Sequence, residues 1–300
     1  MVRIGVDLGG TKIEGVVLNG NQVVARLRVG TPQGNYAATL DAVSALVDAL
    51  EQQTGQRALP LGLGHPGSID PHSGLLRNAN SVCLNGRALK QDLEARLDRP
   101  LALANDANCL ALSEIHDGAA RGLQSAFLVI LGTGVGGAVV ANGQLQQGFN
   151  GLGGEWGHNP LPWVTKQELP GTACWCGQHG CLETWLSGPA LSLLHANAGG
   201  IAGDARAIVA QAEQGDAIAR ASLEAYSHRL ARALAAVINL LDPQIIVLAG
   251  GLSQVRTLYH DVPALWSRWV FADQVQTPLV PAVHGDASGA LGAARLGIEC

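Results

Sequence analysis

No stretch of this sequence approaches the roughly 20 consecutive apolar residues that cross a bilayer. Hydrophobic residues make up 47% of its 300 positions, but in short runs broken by 39 glycines. The N-terminus, MVRIGVDLGG, has one basic residue and no apolar core before a small-residue cleavage site. It reads as a strand, not as an export signal. A basic stripe is missing as well. Against 24 Asp plus Glu stand 19 Lys plus Arg, a net charge of −5, the wrong balance for gripping nucleic-acid phosphates. The spacing GxxxxGK[ST] is absent, which disfavours a P-loop fold. The expectation is a soluble, cytoplasmic chain with neither nucleic acid nor membrane as partner.

The length suits two modest lobes or one large domain. Six cysteines are present, three of them within Cys174–Cys181. Without an export signal, such clustering argues for metal rather than disulfides. Strands are predicted over Val2–Leu8, within Gly15–Val29 on both sides of an Asn19–Gly20 turn, at Leu61–Gly64, at Leu101–Ala104 and at Ile245–Leu248. Helical spacing predicts Tyr36–Gln52, a helix following Asp106, a long one over Ala217–Leu241 and a small-residue one near Ser288–Leu296.

A shift of 123 positions lays Val6, Leu8, Gly9, Val16, Val17, Asn19 and Gly20 on Val129, Leu131, Gly132, Val139, Val140, Asn142 and Gly143. The repeated unit is strand, glycine turn, strand, Asn-Gly turn. One copy per lobe implies a duplicated fold; chance matching of apolar strands is the alternative.

Three glycine turns follow predicted strands. In DLGGTK, Gly9 and Gly10 let backbone N–H groups approach phosphate oxygens, Thr11 adds a hydroxyl and Lys12 a positive charge, while Asp7 can hold Mg²⁺ through water. A plain tight hairpin is the other reading. LGTGVGG is the second copy, with Gly132, Thr133 and Gly134; Gly250–Gly251 is the third turn. LANDAN sets Asn105 and Asp106 where a strand ends and a helix begins, the end of an α/β sheet at which ligands bind. Asp106 is then either a general base or a helix N-cap. CWCGQHGC offers three thiolates, Cys174, Cys176 and Cys181, and with one histidine completes the tetrahedral set of a structural zinc. His158 and His179 compete for the fourth place.

Together DLGGTK, LGTGVGG and CWCGQHGC resemble the ROK family of sugar kinases and repressors, over essentially the whole chain. The resemblance implies a two-lobed actin-like (ribonuclease H-like) ATPase and sugar-kinase fold, α/β, with duplicated βββαβα lobes. The lobe boundaries expected are 1–118, completed by a C-terminal helix 286–300, and 119–285, carrying a zinc segment 155–183. It implies ATP at the glycine turns, with Gly250 and Gly251 closing over adenosine, Mg²⁺, and Asp106 as catalytic base with Asn105 orienting the sugar. It favours His158 as the zinc ligand, through the ExGH motif Glu155–His158. Gly67, Ser68 and Asn80 would complete the sugar pocket, with Glu155, His158 and Glu183 on sugar hydroxyls. His65 departs from relatives, which carry an apolar residue there, and receives no role. A homodimer is also implied.

Within the family, NANSVCLNG, NDANCLALSE and GEWGHNPLPW look most like the fructokinases and mannokinases, so phosphorylation of fructose to fructose 6-phosphate is expected, with mannose or glucose behind it. An N-acetylhexosamine kinase is the alternative. A sugar-responsive repressor is disfavoured, because the sequence starts on the DLGGT strand where family repressors carry a DNA-binding module.

Overall fold

The computed structural model describes residues 1–296; of the expected helix 286–300, positions 297–300, Cys300 included, lie outside the described residues. The chain opens with β1 (Val2–Leu8), β2 (Lys12–Asn19) and β3 (Gln22–Gly30), then α1 (Tyr36–Thr54), β4 (Leu61–His65), β5 (Ser68–Ile69), β6 (Leu76–Arg77), α2 (Leu89–Leu97), β7 (Leu101–Asn105) and α3 (Asp106–Asp117). It continues with β8 (Ser125–Leu131), β9 (Val135–Ala141), β10 (Gln144–Leu145), α4 (Glu183–Leu186), α5 (Gly188–Asn197), α6 (Ala205–Glu213) and α7 (Ala217–Leu241). The last elements are β11 (Ile246–Ala249), α8 (Leu258–Leu265), β12 (Leu279–Pro281) and α9 (Ser288–Ala293).

Two five-stranded mixed sheets have matching orders, β3-β2-β1-β4-β7 and β10-β9-β8-β11-β12. In the first, an antiparallel meander precedes strands added in parallel on the other side; in the second, β9 and β10 pair antiparallel, and β11 and β12 are added in parallel beyond β8. The 123-residue offset carries the bounds of β1 onto those of β8. The duplication read from seven identities is therefore a duplication of topology. Parallel addition needs crossovers, and these are supplied by helices.

Residues Met1–Gly122, Ala138–Gly153 and the segment beginning at Val283 form one compact unit; Leu123–Gly137 and Gly154–Ala282 form the other. The strand-and-turn piece Ala138–Gly153 joins the first unit, where β10 rests on α3 and Arg77 Nη2 donates to Asn150 O at 2.9 Å. No composition shift in the sequence marks that exchange.

In the first unit α1 is capped by Asn35, whose side chain accepts from Ala38 N, and is closed by Gly55 at φ +67. Its buried stripe of Leu40, Val43, Leu46, Val47 and Leu50 packs with Ile4, Val6, Ile13 and Val17 of the sheet. The opposite face is covered by α9, at such close range that only glycine fits. A Cβ on Gly62 of β4 would overlap the Ala293 carbonyl, and one on Gly292 would overlap the Cys109 carbonyl of α3.

In the second unit the long α7 is capped by Asp216, which accepts from Ala219 N. Tyr226 is buried on it and donates to Leu186 O at 2.8 Å. Among the described residues no helix is long and apolar enough to cross a membrane.

Candidate functional site: a glycine hairpin with two carboxylates, and a glycine loop beside a thiol cluster

The first unit brings most of its sequence-predicted residues to one end of its sheet. Gly9, Gly10 and Thr11 form the β1–β2 hairpin, which Lys12 closes: Gly9 N–H donates to Lys12 O at 2.9 Å. Thr31 braces the turn from behind, its hydroxyl donating to Gly9 O at 2.7 Å and its N–H to Thr11 O at 3.1 Å. Asp7, on β1, faces α9, where a Cβ on Gly289 would come within 2.7 Å of its Cγ. The Cys109 thiol is fully buried, and burial, then the charges of Asp7 and Asp106, hold it protonated well above its ordinary range. Both carboxylates therefore lie near one point at the strand ends.

Asn105 takes the N-cap of α3. Its Oδ1 accepts from Ala107 N at 2.8 Å, and its Nδ2 donates to Gly67 O at 2.8 Å. Asp106 is the first residue inside the helix, with Oδ1 also accepting from Ala107 N. Of the two readings of Asp106, the cap belongs to its neighbour. Asn105 fastens the end of β7 to the Pro66–Gly67 turn with its side-chain amide.

That turn requires glycine: Gly67 sits at φ +74, and a Cβ would overlap the Arg77 carbonyl. Ser68 is buried where β5 pairs with β6, with Arg77 Nε directed at its hydroxyl, 3.4 Å away. Asn80 is exposed beside Ser81, whose hydroxyl lies 3.4 Å from where a Gly10 Cβ would be. Sequence reasoning missed Asn85, which brackets the residue before Asn80: Ala79 N donates to its Oδ1 at 2.8 Å and its Nδ2 to Ala79 O at 3.0 Å. It also missed Thr31 and Gly289. Nothing in their local sequence distinguishes them, since their partners lie far along the chain.

In the second unit the loop Gly132-Thr133-Gly134 is held at several points. Gly132 N–H donates to Gly134 O at 3.0 Å, and Gly188 N–H to Gly132 O at 2.8 Å. Val135 N–H donates to Glu183 Oε2 at 3.1 Å, and Trp156 Nε1 to Gly136 O at 2.9 Å. Gly250, at φ +84, packs on the Leu131 backbone, so the Gly250–Gly251 turn abuts the end of β8. Beside the turn that follows, a cavity of about 680 Å³ is lined by Gln254, Val255 and Arg256 together with Val209, Arg220 and Leu223 of α6 and α7. That is room enough for a nucleoside.

The thiol cluster is compact. One ligand atom each from His158, Cys174, Cys176 and Cys181 lies within 4.8 Å of the others. Cys174 Sγ is 3.6 Å from His158 Nδ1, and Cys176 Sγ is 3.6 Å from Cys181 Sγ. A tetrahedral ion with Zn–S bonds of about 2.3 Å has edges of about 3.8 Å, so the donor set fits zinc. Burial, then hydrogen bonds with Cys176 and Cys174, push the Cys181 thiol up to about 12. A divalent cation would supply the charge that lets these thiols ionise. His158 completes the group and His179 does not: the His179 backbone instead bridges to Ala173. Glu155 immediately precedes the turn Trp156–His158, and Glu183 begins α4 two residues after Cys181.

The stretch Asn159–Trp163, which favoured fructokinases in the sequence, has structural duties. Pro160 bridges to Cys181, Leu161 is buried and donates to Gly180 O at 3.0 Å, and Trp163 packs on Trp269 with ring centroids 5.3 Å apart.

A model of the ROK family matches residues 3–299. The N-acetyl-D-glucosamine kinase of Shigella boydii is 40% identical over 97% of this chain and 98% of its own. Among solved structures, the ROK hexokinase of Thermus thermophilus superposes with a TM-score of 0.85 at 32% identity, over 98% of this chain and 97% of that one. A ROK glucokinase of Streptomyces griseus, solved with glucose and AMPPNP, gives 0.82 at 28% identity, with 98% of each chain covered. The two α/β units are thus lobes of the actin-like fold, and the expected special likeness to fructokinases gives way to one with N-acetylglucosamine kinases. The chain belongs to the ROK family.

Proposed function

We propose that this chain is an ATP-dependent sugar kinase whose acceptor is N-acetyl-D-glucosamine, with Asp106 as the general base. One observation carries the substrate: 40% identity to an enzyme of that name across nearly the full length of both chains. The chemistry rests on the first unit, which pairs a carboxylate at a helix start with a glycine hairpin suited to phosphate oxygens.

Phosphoryl transfer asks little covalent chemistry of a protein. It needs a positioned hydroxyl, a base within hydrogen-bond reach and donors for the phosphate charge. Asp106 accepts the proton of the attacking sugar hydroxyl as the new O–P bond forms and the bond to the ADP oxygen breaks. Backbone N–H groups of Gly10 and Gly134, with Thr11, Thr133 and Lys12, serve the phosphates, while Gly9 and Gly132 spend their own N–H groups closing the two turns. Asp7 offers the hard oxygen donor that suits Mg²⁺, which when bound neutralises charge on the phosphate oxygens. The cavity beside Gln254 and Arg256 takes the adenosine. Gly67, Ser68 and Asn80, with Glu155, His158 and Glu183, bind the sugar. Cys174, Cys176, Cys181 and His158 Nδ1 would hold zinc, and an imidazole bound through Nδ1 would present Nε2 to the sugar.

The reading is tested by coupled measurement of ADP release with N-acetylglucosamine, N-acetylmannosamine, glucose, mannose and fructose. N-acetylglucosamine should give the highest kcat/KM. Fructose in first place would restore the reading that the sequence alone favoured. No turnover with any of the five would end the kinase assignment.

A further inference from the structure

Trp175 stands between two metal ligands, Cys174 and Cys176, and its indole is not spent on the core: the residue is 56% exposed. Its ring nonetheless has two defined contacts. The indole Nε1–H donates to Glu183 Oε1 at 2.6 Å, and the ring meets His158 edge-to-face with centroids 4.8 Å apart. The other carboxylate oxygen of Glu183 accepts from Val135 N, the amide that ends the second glycine loop. Gly134 leaves the space this needs, because a Cβ there would come within 2.7 Å of Glu183 Oε2. A continuous chain of contacts thus runs from the thiol cluster through one indole and one carboxylate to the loop backbone, all inside the second unit.

A carboxylate held by two donors has a fixed position and plane, whereas one donor leaves it free to rotate. Glu183 begins a helix of only four residues, so its side-chain direction is set by its partners rather than by a long element. The indole in turn is placed by its two ligand neighbours, whose backbone is wrapped by Gly177 and Gly180 at φ +91 and +70. With the cluster collapsed around an ion, Trp175 has one place to be.

We infer that Trp175 is a positioning residue: through its indole N–H it fixes Glu183, and through Glu183 it lets metal at the cysteine cluster set the conformation of the Gly132–Val135 loop. Thermodynamic linkage then makes metal and loop ligand each tighten the binding of the other. The loop's taking nucleotide phosphate rests on the proposed function; the coupling itself does not.

The test is Trp175→Phe, which keeps an aromatic edge for His158 and deletes only the donor. Zinc content by elemental analysis should stay at one per chain, and Tm should stay close to that of the unaltered protein. Hydrogen–deuterium exchange over Leu131–Val135 should rise roughly 10-fold, and the Kd for Mg–AMPPNP without sugar should weaken roughly 3- to 10-fold. In Glu183→Gln, where one of the two bonds is already lost, adding Trp175→Phe should change loop exchange little. Unchanged loop exchange in the zinc-loaded Phe variant would overturn the inference, as would full additivity of the two substitutions. A variant that lost zinc would be replaced by Trp175→Leu, which also lacks a donor, read by the same exchange measurement. Faster exchange with unaltered nucleotide affinity would leave the coupling standing and count against the loop as a phosphate site.

Discussion

Two buried or half-buried titratable residues of the first unit allow predictions at the scale of a single side chain. His65 is 2% exposed, with Nδ1 3.1 Å from Pro66 O, and burial, opposed by that carbonyl, lowers its pKa to about 4. Between the ordinary value near 6.5 and 4 the unfolded chain binds a proton that the folded chain refuses. Stability should therefore fall as pH drops through this window, by about 3 kcal/mol in total. Urea unfolding of His65→Gln should show a pH slope shallower by that amount between 6.5 and 4; equal slopes would refute it. Asp106→Asn keeps an oxygen to accept from Ala107 N, so the helix start should survive. Turnover should fall roughly 10²- to 10⁴-fold, with sugar binding still measurable by calorimetry. Near-normal turnover would remove Asp106 from the chemistry. At this scale the sequence was informative where chemistry is local: three cysteines in eight positions announced their role. Asn85 and Thr31 were illegible, because each acts on backbone brought near only by folding.

Between elements, a buried polar tie in the second unit joins the turn Lys166–Glu168 to α7. Glu168 pairs with Arg232 at 2.6 Å and with Arg229 at 3.0 Å, and Arg232 is 5% exposed. Burial would raise the carboxyl; hydrogen bonds from Arg232 and the Thr165 N–H overcome it and bring it down to about 2. Its contribution is thus complete above about 4.5 and lost as pH falls toward 2, a window that meets that of His65 only near pH 4. Glu168→Gln leaves a guanidinium buried without its charge partner and should cost about 3–5 kcal/mol at neutral pH, read as a lower urea midpoint. A change under 1 kcal/mol would mean the ion pair is spectator to stability. Elements themselves were well legible. The apolar spacing from Ala217 to Leu241 gave both ends of α7, because Asp216 caps one and Pro243 follows the other. β12, the parallel partner of β11, was harder: it is three residues long and ends at Pro281, too short for any period to register.

For the whole molecule, the 123-residue self-similarity was the most informative feature, since it implied two related sheets before any strand pairing was known. The comparisons favour the N-acetylhexosamine alternative over the fructose reading that the sequence put first. In the structure Asn159–Trp163 packs against the thiol segment and Trp269, so its residues answer to that packing. Removal of metal should act at this scale as well. Chelation, verified by elemental analysis, should lower Tm by roughly 10 °C and make the segment 155–183 the first to be cut by protease. Retention of the original Tm with full zinc loss would mean that the four ligands pack adequately without an ion.

The seating of α9 against Gly62 has a consequence for biosynthesis. The polypeptide passes between the two units four times, and the helix that covers β1 and β4 is made long after those strands. At about 5–20 residues per second, a ribosome needs roughly 10–50 s to travel from Gly62 to Ala293. For that interval the part of the first sheet that α9 covers is bare on the nascent chain, a surface that chaperones are built to shield.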